Sequence, residues 1–496
     1  MTAEYFLAFD LGAESARAML GSLENGQIRL TELHRFPSRL IRCQHHLHWN
    51  VYYLFEEIRQ VLEKTRHQGL RLRSLGIDTW GVDFGLIDSS GHLLGLPYCY
   101  RDKAFPVAAG QYFREFPAGE LYQLTGIQFM PFNSIFQLYA LQKENSHWLK
   151  QAEKMLFMPD LLNFLLTGVK ATDLTIASTS QLLSPFNRQW LPGLVERMGI
   201  NAQLLPEINL PGKILGRLSP WLVEDGLPDV SVVEVAGHDT ASAIAAVPAE
   251  GDDWAYISSG TWSLIGVELS QPLVNERSLQ ANFTNESGLG KTIRFLKNVT
   301  GLWLLQQCRK IWSRQGDLSY EQLTELAEKA RPFELFLDPD IPQFLNPENM
   351  VEAITGYARQ TGQAVPAEPG AMTRAILESL ALKYRLVIDE LEVLTGRKFK
   401  VIHIIGGGSK NSLLNQFTAE ATGRPVLAGP EEATSAGNVL IQAMAAGQLE
   451  DRQTLRKIVR QSFEIKEYRP HSPERWDQAF SEYKSRLAEA RNNRPV

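Results

Sequence analysis

The residues of this sequence with the clearest chemical potential lie in short polar turns that follow apolar segments. The first turn is contained in Asp10-Leu-Gly-Ala-Glu-Ser-Ala-Arg17. Such a turn can direct backbone N–H groups at an anion such as phosphate, and Asp10 at a strand end can hold a metal ion that offsets phosphate charge. The alternative is an ordinary hairpin with a solvated aspartate. Short motifs often match by chance, so this turn alone leaves both interpretations open.

A second turn of the same kind favours the phosphate interpretation. It reads Ser258-Ser-Gly-Thr261 and lies between two segments that are typical of strands, Trp254–Ser258 and Trp262–Leu269. Two such turns in one chain can contact a triphosphate from opposite sides of a cleft, which is an arrangement that an ATPase requires. The pair therefore predicts a nucleotide site formed by two parts of the chain.

The spacing of the two turns predicts an internal duplication. Gly260 follows Gly12 by 248 residues, which is half of the 496-residue chain. The stretch between residues 247 and 253 is polar and contains proline and glycine, as linkers commonly do. We therefore expect two similar domains, residues 1–248 and 249–496, with a ligand cleft between them.

Three consecutive glycines form the third motif. Gly406-Gly-Gly408 follows the apolar segment Val401–Ile405. Because glycine has no Cβ atom, a flat ligand such as adenine, or a ribose, can approach the backbone closely. A sharp turn between a strand and a helix is the alternative, but that turn needs only one glycine. Three in a row favour a ligand.

The fourth motif, Ala236-Gly-His-Asp-Thr240, lies between an apolar segment and a predicted helix over residues 241–246. Asp239 has two interpretations. An aspartate at the start of a helix is a good N-cap, which stabilises the helix by about 1 kcal/mol. Alternatively, Asp239 is a general base that orients a hydroxyl group and accepts its proton during phosphoryl transfer. The sequence does not separate these two roles.

Trp80 is the remaining residue with two interpretations. It lies in Ile77-Asp-Thr-Trp-Gly-Val-Asp83, directly after a predicted strand. A tryptophan in this position is either part of the hydrophobic core or an aromatic platform for the face of a sugar. The sequence leaves both open.

The elements that must position these motifs alternate along the chain. Apolar segments that are typical of strands are separated by segments with helical periodicity, and this alternation predicts an α/β architecture with helices covering mixed sheets. The last predicted helix is charged and amphipathic. The further predicted strands are Tyr5–Asp10, Ala16–Leu23, Gln27–Phe36, Leu75–Asp78 and Val230–Ala236, and the helices are Leu54–Thr65, Arg374–Thr395, Ser435–Ala446 and Pro473–Arg491.

The composition restricts the class of protein. The formal net charge of -6 argues against a nucleic-acid or anionic-membrane surface, and we expect neither partner. The three cysteines are far apart, so a disulfide framework is not expected and a reducing cytoplasm fits. The N-terminus has no basic region or cleavage site, and the chain has no apolar run of about 18 residues. We therefore expect a cytoplasmic protein, either a monomer or a small homo-oligomer.

Taken together, the motifs resemble the FGGY family of carbohydrate kinases, which share the actin-like ATPase (ribonuclease H-like) fold. The resemblance extends from about Tyr5 to about Gln448 and depends on many blocks in one order. These blocks are Asp10-Leu-Gly-Ala13, Gly76–Phe84, Tyr100-Arg-Asp102, Gly126–Phe129, Pro131-Phe-Asn133, His238–Ala243, Ser258–Leu264, Lys297-Asn298, Gly301–Gln306, Gly406-Gly-Gly408 with Asn411, and Gly429-Pro-Glu431.

The resemblance implies a role for each matching residue. Asp239 would be the catalytic base, and Asp10 would contact Mg²⁺ directly or through water. The family pattern has glycine at position 16, where this chain has Ala16, whose methyl group could crowd the phosphates or the turn. This departure leaves the detailed geometry of the loop open, but not the fold. The implied sugar-binding residues are Gly81, His238, Asp239, Thr240 and Asn298, and the implied ATP-binding residues are Ala13, Glu14, Ser15, Ala16, Arg17, Thr261, Gln306 and Gly407.

The resemblance also implies an activity. We expect ATP-dependent phosphorylation of L-rhamnulose at its 1-hydroxyl, with Mg²⁺ and a small ketose as partners. One alternative is another sugar kinase of the family that acts on L-fuculose or a ketopentose. The other is an actin-like ATPase that binds protein and is indifferent to sugars, although this alternative leaves the motif around Asp239 without a role.

Overall fold

The computed structural model describes residues 4–314, 316 and 318–492. The outermost residues of the two predicted domains, 1–3 and 493–496, lie outside the described part. The chain divides into two compact units, and each is assembled from separate segments. The first unit contains the chain up to Pro248 together with Glu268–Phe295 and Ala433–Ser462, and the second contains Ala249–Val267, Leu296–Glu432 and the chain from Phe463.

Each segment predicted to be a strand contains one in the described chain. β14 and β17 have the predicted bounds, the other predicted strands differ by a few residues at their ends, and the structure has further strands that were not predicted. The strands are β1 (Tyr5–Leu11), β2 (Ser15–Glu24), β3 (Gln27–Pro37), β4 (Leu40–Cys43), β5 (His46–Trp49), β6 (Leu72–Thr79), β7 (Phe84–Ile87), β8 (Lys154–Phe157), β9 (Ala171–Asp173), β10 (Glu207–Asn209), β11 (Lys213–Arg217), β12 (Ser231–Glu234), β13 (Trp254–Ser259), β14 (Trp262–Leu269), β15 (Thr284–Ser287), β16 (Ile293–Thr300), β17 (Val401–Ile405), β18 (Val426–Ala428) and β19 (Lys466–Tyr468).

The helices cover the segments with helical periodicity. The predicted helices around residues 54–65, 374–395, 435–446 and 473–491 are all present. They are α1 (Val51–His67), α2 (Ala104–Glu115), α3 (Ala118–Thr125), α4 (Ser134–Glu144), α5 (Ser146–Gln151), α6 (Met158–Thr167), α7 (Leu174–Ala177), α8 (Pro192–Glu196), α9 (Pro220–Glu224), α10 (Asp239–Ala245), α11 (Glu276–Gln280), α12 (Trp303–Trp312), α13 (Tyr320–Lys329), α14 (Met350–Gln360), α15 (Pro369–Thr395), α16 (Ser412–Thr422), α17 (Ala433–Ala445), α18 (Arg452–Ser462) and α19 (Pro473–Asn492). Short 3₁₀ turns include Ser178–Ser180, directly after α7, and Gly407–Lys410.

The first unit is built on a six-stranded sheet with the strand order β11-β12-β6-β1-β2-β3. β1 pairs antiparallel with β2 and parallel with β6. The turn between β2 and β3 has positive φ at Asn25 (51°) and Gly26 (74°), which is the tight hairpin that an Asn-Gly pair favours. β1 is buried along almost its whole length, since α17 packs on the sheet at this strand.

The second unit repeats this opening. β13 pairs antiparallel with β14 and parallel with β17, as β1 does with β2 and β6. β17 then pairs parallel with β18, and β18 pairs antiparallel with β19. The predicted strand–turn–strand repeat is therefore present in both units. Among the described residues, no helix combines the length and the apolar character that a bilayer crossing requires.

Candidate active site

The first predicted phosphate turn joins β1 to β2, and its geometry is set by an ion pair. Asp10 is buried near the end of β1, and its Oδ2 accepts hydrogen bonds from Arg17 Nε (3.0 Å) and Nη2 (2.8 Å). Arg17 lies directly opposite Asp10 in the antiparallel pair. The strand register therefore fixes the cation next to the carboxylate, at the base of the turn.

The residues predicted to bind phosphate lie between Asp10 and Arg17 in the chain, and their side chains differ in exposure. Glu14 and Ser15 are exposed on the turn, and Ala13 is half-buried. Ala16 is fully buried, and its methyl group packs in the hydrophobic core of the first unit. The methyl group of Ala16 therefore lies in the core and not on the exposed face of the turn.

Asp78 lies beside Asp10, and the sequence motifs did not identify it as a site residue. The parallel pairing of β1 and β6 places Asp78 next to Asp10. Its Oδ2 accepts a hydrogen bond from Asn438 Nδ2 at 2.6 Å, while the buried Oδ1 has no hydrogen-bond partner. Burial and the charge of Asp10 raise the pKa of Asp78 well above its ordinary value. The strand ends thus form a pair of carboxyl groups, one ion-paired and one with an unused oxygen.

Asp239 lies at the start of α10. The N-cap of this helix is His238, whose side chain makes no capping hydrogen bond, and Asp239 is the first residue inside the helix. The Asp239 Oδ1 accepts from the N–H (2.5 Å) and hydroxyl (3.0 Å) of the adjacent Thr240. The side chain stays 30% exposed. Asp239 is therefore not the N-cap residue, but its carboxylate accepts from one first-turn N–H and is also partly exposed, so the structure is compatible with a role in catalysis.

The surroundings of Asp239 raise the pKa of its carboxyl group. Burial is the largest cause and the charge of Asp10 adds to it, and together they outweigh the lowering by His238 and by the hydrogen bonds from Thr240. A carboxylate whose pKa is raised holds a transferred proton more strongly than an exposed aspartate does. The site thus has the property that a general base needs.

His238 belongs to a buried ion cluster that the sequence did not predict. Arg294 Nη2 lies 3.0 Å from Glu286 Oε2 and 3.1 Å from His238 Nδ1. His238 Nδ1 also lies 3.4 Å from Glu286 Oε2, so it is next to both a cation and a carboxylate. Nε2 lies 3.5 Å from Asp239 Oδ1. The cluster therefore holds the imidazole ring of His238 beside the candidate base.

The charges of this cluster are mutually compensating. Burial raises the pKa of Glu286, but Arg294, His238 and Thr284 together outweigh burial, and the net pKa of Glu286 lies below its ordinary value. Arg294 is completely buried. The pair is therefore ionised at neutral pH, as buried charges usually are when they have a close partner.

The loop with the predicted sugar-binding Gly81 follows β6, and Trp80 anchors it. Trp80 is 6% exposed, donates from Nε1 to Asp83 Oδ2 at 3.0 Å, and packs against Trp49 with the ring centroids 4.1 Å apart. Asp83 is fully buried and also accepts from Trp49 Nε1 at 2.6 Å. The core interpretation of Trp80 therefore describes this structure.

Val82 in the same loop adopts a strained backbone conformation. Its φ is +68°, and the Asp83 N–H donates to the Gly81 carbonyl at 2.9 Å, so the three residues form a γ-turn. A β-branched residue rarely adopts positive φ, and such outliers occur mainly at functional sites. Thr179 Oγ1 accepts from the Val82 N–H at 3.1 Å, and Ser134 Oγ donates to its carbonyl at 2.6 Å. Side chains on both sides therefore maintain the strained turn.

The second unit contains the other predicted ATP-binding residues and Asn298. The structure brings Thr261 and Gln306 together, since Thr261 Oγ1 donates to Gln306 Oε1 at 3.2 Å. Thr261 belongs to the turn between β13 and β14, and Gln306 lies in the first turns of α12. Asn298 is half-buried on β16. Two of the residues implied for nucleotide binding are therefore neighbours although 45 positions separate them in the chain.

The structure requires glycine at two of the three positions after β17 but not at the third. Gly406 has φ +82°, and a Cβ atom on Gly408 would lie 2.0 Å from Ser259 Oγ, so both meet structural requirements. A Cβ on Gly407 would meet no atom within 4 Å. Gly407 is exposed, so it is the member of the triplet that is open to a ligand. Two of the three glycines thus have structural reasons, and Gly407 is the one that the resemblance implies for ATP binding.

The carboxyl groups suit a magnesium ion that arrives with a nucleotide. Within the described chain, no three His, Cys, Asp or Glu side chains are arranged to hold a metal ion. Asp10 and Asp78 lie side by side, and Asp78 Oδ1 has no hydrogen-bond partner. Mg²⁺ commonly uses one or two carboxylates and completes its shell with water and phosphate oxygens. The residues present fit that mode of binding.

Glu234 is buried at the end of β12, and its carboxyl group makes the stability of the folded protein depend on pH. Burial and the charge of Asp173 raise the pKa of Glu234 to about 8. Between its ordinary pKa and 8, the folded protein keeps a proton that the unfolded chain releases, so the free energy of unfolding falls as pH rises. We expect Glu234→Gln to reduce the decline in melting temperature between pH 5 and pH 8.5. The exposed Glu224→Gln serves as a control that should keep the full decline, and an unchanged decline in Glu234→Gln would contradict the assignment.

Two family models match most of the chain. Residues 5–246 match the N-terminal domain of the FGGY family of carbohydrate kinases, and residues 255–446 match its C-terminal domain. The rhamnulokinase of Bacteroides thetaiotaomicron is 45% identical to this chain over 97% of the chain and 99% of the relative. The rhamnulokinase of Bacillus subtilis is 41% identical over 95% of the chain and 96% of the relative.

Solved structures share the fold at low sequence identity. The gluconate kinase of Lactobacillus acidophilus has a TM-score of 0.81 at 17% identity, and covers 99% of this chain and 98% of its own. The glycerol kinase of Plasmodium falciparum with ADP has a TM-score of 0.79 at 15% identity, and covers 100% and 99%. The predicted two-domain α/β kinase fold is confirmed, and the chain belongs to the FGGY family of carbohydrate kinases.

Proposed function

We propose that this protein transfers the γ-phosphate of ATP to the 1-hydroxyl of L-rhamnulose, which gives L-rhamnulose 1-phosphate and ADP in L-rhamnose degradation. Support comes from the similarity to the rhamnulokinases of Bacteroides thetaiotaomicron and Bacillus subtilis over nearly the whole chain. A family kinase that acts on L-fuculose or a ketopentose is the main alternative, and the same comparisons do not favour it.

The observation that carries the mechanism is the carboxyl group of Asp239. One of its oxygens is held by the N–H and hydroxyl of Thr240, and the side chain remains 30% exposed. A carboxylate that is held by hydrogen bonds and remains partly exposed suits a general base. We assign Asp239 as the group that accepts the proton of the 1-hydroxyl while its oxygen attacks the γ-phosphorus in line.

The remaining proposed roles divide between nucleotide and sugar. His238 lies next to Asp239, with its Nε2 3.5 Å from Asp239 Oδ1, while Asp10 and Asp78 are the carboxyl groups available to Mg²⁺. The bound ion would neutralise part of the phosphate charge. The proposed phosphate- and nucleotide-binding residues are Ala13, Glu14, Ser15, Ala16, Arg17, Thr261, Gln306 and Gly407, and the proposed sugar-binding residues are Gly81, His238, Thr240 and Asn298.

A panel of ketoses tests the substrate assignment. ADP release is measured in a coupled assay with ATP, Mg²⁺ and L-rhamnulose, L-fuculose or D-xylulose. We expect ADP release to depend on sugar and the value of kcat/KM to be highest with L-rhamnulose. Equal or faster turnover of L-fuculose or D-xylulose would overturn the substrate assignment, whereas the assignment as a sugar kinase would stand.

We further propose a cytoplasmic enzyme, either a monomer or a small homo-oligomer, with residues 1–248 and 249–496 as duplicated domains. The three cysteines, Cys43, Cys99 and Cys308, are free thiols, which is the state expected in a reducing compartment. The boundary after residue 248 is supported by the two family domains that match on either side of it.

A further inference from the structure

A short segment of the first unit contains four buried hydroxyl groups that none of the assigned roles uses. It comprises α7 and the 3₁₀ turn that follows, and reads Leu174-Thr-Ile-Ala-Ser-Thr-Ser180. We call Thr175, Ser178, Thr179 and Ser180 the hydroxyl segment. All four side chains are at most 5% exposed. Buried hydroxyl groups need hydrogen-bond partners, so the position of each partner shows what the segment contacts.

Each of the last three hydroxyl groups donates to its own helix. Ser178 Oγ donates to the Thr175 carbonyl (2.7 Å), Thr179 Oγ1 to the Ile176 carbonyl (2.8 Å), and Ser180 Oγ to the Ala177 carbonyl (2.6 Å). The proton of each hydroxyl is thereby fixed toward the helix. The oxygen lone pairs then point outward as acceptors with a defined direction.

Two of these acceptors bind loops that the proposed mechanism uses. Thr179 Oγ1 accepts from the N–H of Val82 at 3.1 Å, at the centre of the strained γ-turn. A Cβ atom on Gly81 would lie 3.3 Å from the Thr179 side chain, so this side chain also forms the surface under the proposed sugar-binding glycine. Ser178 Oγ accepts from the N–H of Ser287 at 2.9 Å, directly after Glu286 of the ion cluster.

Thr175 contacts the loop that precedes the candidate base. Its hydroxyl donates to Asp173 Oδ2 and accepts from the His238 N–H at 3.3 Å. The same Asp173 oxygen accepts from the Gly237 N–H at 2.9 Å. The backbone immediately before Asp239 therefore makes two hydrogen bonds to the start of α7, one to the Thr175 hydroxyl and one to the N-cap residue Asp173.

Ser180 has the same local chemistry but a different partner. Its Oγ accepts from the N–H of Leu182 at 3.1 Å, which lies two residues later in the same stretch of chain. Neither residue belongs to a loop with a proposed catalytic or binding role. Ser180 is therefore a matched internal control for the other members of the segment.

We propose that Thr175 and Thr179 are positioning residues for phosphoryl transfer. Thr179 maintains the γ-turn that presents Gly81 to the sugar, and Thr175 maintains the backbone that presents Asp239 to the reacting hydroxyl. The proposal rests on the proposed function, since it takes Asp239 as the base and Gly81 as a sugar contact. Both threonines act through other residues and touch no substrate themselves.

Separate effects on KM and kcat test the proposal. Thr179→Val removes the acceptor of the Val82 N–H, so the strained turn relaxes, and we expect the KM for the sugar to rise about tenfold or more. Its kcat and its KM for ATP should change by less than about threefold. Thr175→Val should do the reverse: kcat falls about tenfold or more, and the KM for the sugar changes by less than about threefold. Thr179→Ser and Thr175→Ser keep the hydroxyl and should restore each value.

Ser180→Ala distinguishes positioning from general stability. This variant also loses a buried hydroxyl, so we expect a similar fall in melting temperature but kcat and KM within about twofold of the parent. If all three substitutions change kinetics alike, or if none changes them beyond threefold in well-folded protein, the proposal is wrong. If a valine variant is insoluble, the alanine variant at the same position is assayed with the same two criteria.

The substrate preference of the unsubstituted (parent) enzyme is measured first, so that this test is separate from the test of the proposed function. The variants are assayed with whichever ketose the parent turns over fastest. A preference for a ketose other than L-rhamnulose would overturn the substrate assignment alone. The KM and kcat pattern of the threonine variants decides the positioning roles in either case.

Discussion

Replacing Asp239 with asparagine is expected to lower turnover of the sugar by about 10²-fold or more while the protein stays folded. The amide keeps an oxygen that can accept from the Thr240 N–H and hydroxyl, so the local hydrogen bonds that the carboxylate makes at 2.5 and 3.0 Å are retained. The group that accepts the proton is lost. Sugar affinity should change much less, because the amide still hydrogen-bonds a hydroxyl. Turnover, sugar affinity and melting temperature are measured on the same preparation.

Asp451→Asn is the matched control for this experiment. Asp451 also lies at the start of a helix, and its Oδ1 accepts from the Thr454 N–H at 2.8 Å, but it is exposed and has no proposed role in the reaction. We expect parental turnover from this variant. Near-parental turnover in a well-folded Asp239→Asn protein would show that another group accepts the proton.

Of the substitutions proposed, Gly437→Ala is expected to lower the free energy of unfolding most. Gly437 lies in α17, and a Cβ atom there would be 1.9 Å from the backbone carbonyl oxygen of Ser242 in α10. A backbone atom cannot move aside as a flexible side chain can, so one of the two helices must shift. Overpacking in a core costs about 1–3 kcal/mol and occasionally more, and we expect about 3 kcal/mol or more here. The shift should also lower activity, because α10 begins at Asp239.

Gly110→Ala provides the control in the same unit. Gly110 lies in α2, where an added Cβ would meet no atom within 4 Å. Alanine is the better helix former, so we expect this variant to be more stable by up to about 1 kcal/mol. Thermal melting and turnover of both variants check the contrast. A Gly437→Ala protein that melts within a degree of the parent would show that α10 and α17 are farther apart than this structure places them.

The sequence by itself determined the main predicted strands and helices and most of the candidate site residues. The Asn25-Gly26 pair determined a hairpin because these residues tolerate positive φ, and apolar segments determined β1, β13 and β17. Asp239 was identified because its position between a strand and a helix is a local property of the chain. Local propensity and turn chemistry suffice for such features, since they depend on residues that are close in sequence.

Only the tertiary structure decided which candidates are neighbours. The parallel register of β1 and β6 places Asp78 beside Asp10, and a one-residue shift in that register would turn the side chain to the other face. Glu286 and Arg294 meet His238 although about 50 residues separate them from it in the chain. The packing of the folded chain, and not any local pattern, determines these contacts. The same reason explains why the hydroxyl segment has no signature in the sequence. A buried hydroxyl group gains a role only from the loop whose N–H donates to it.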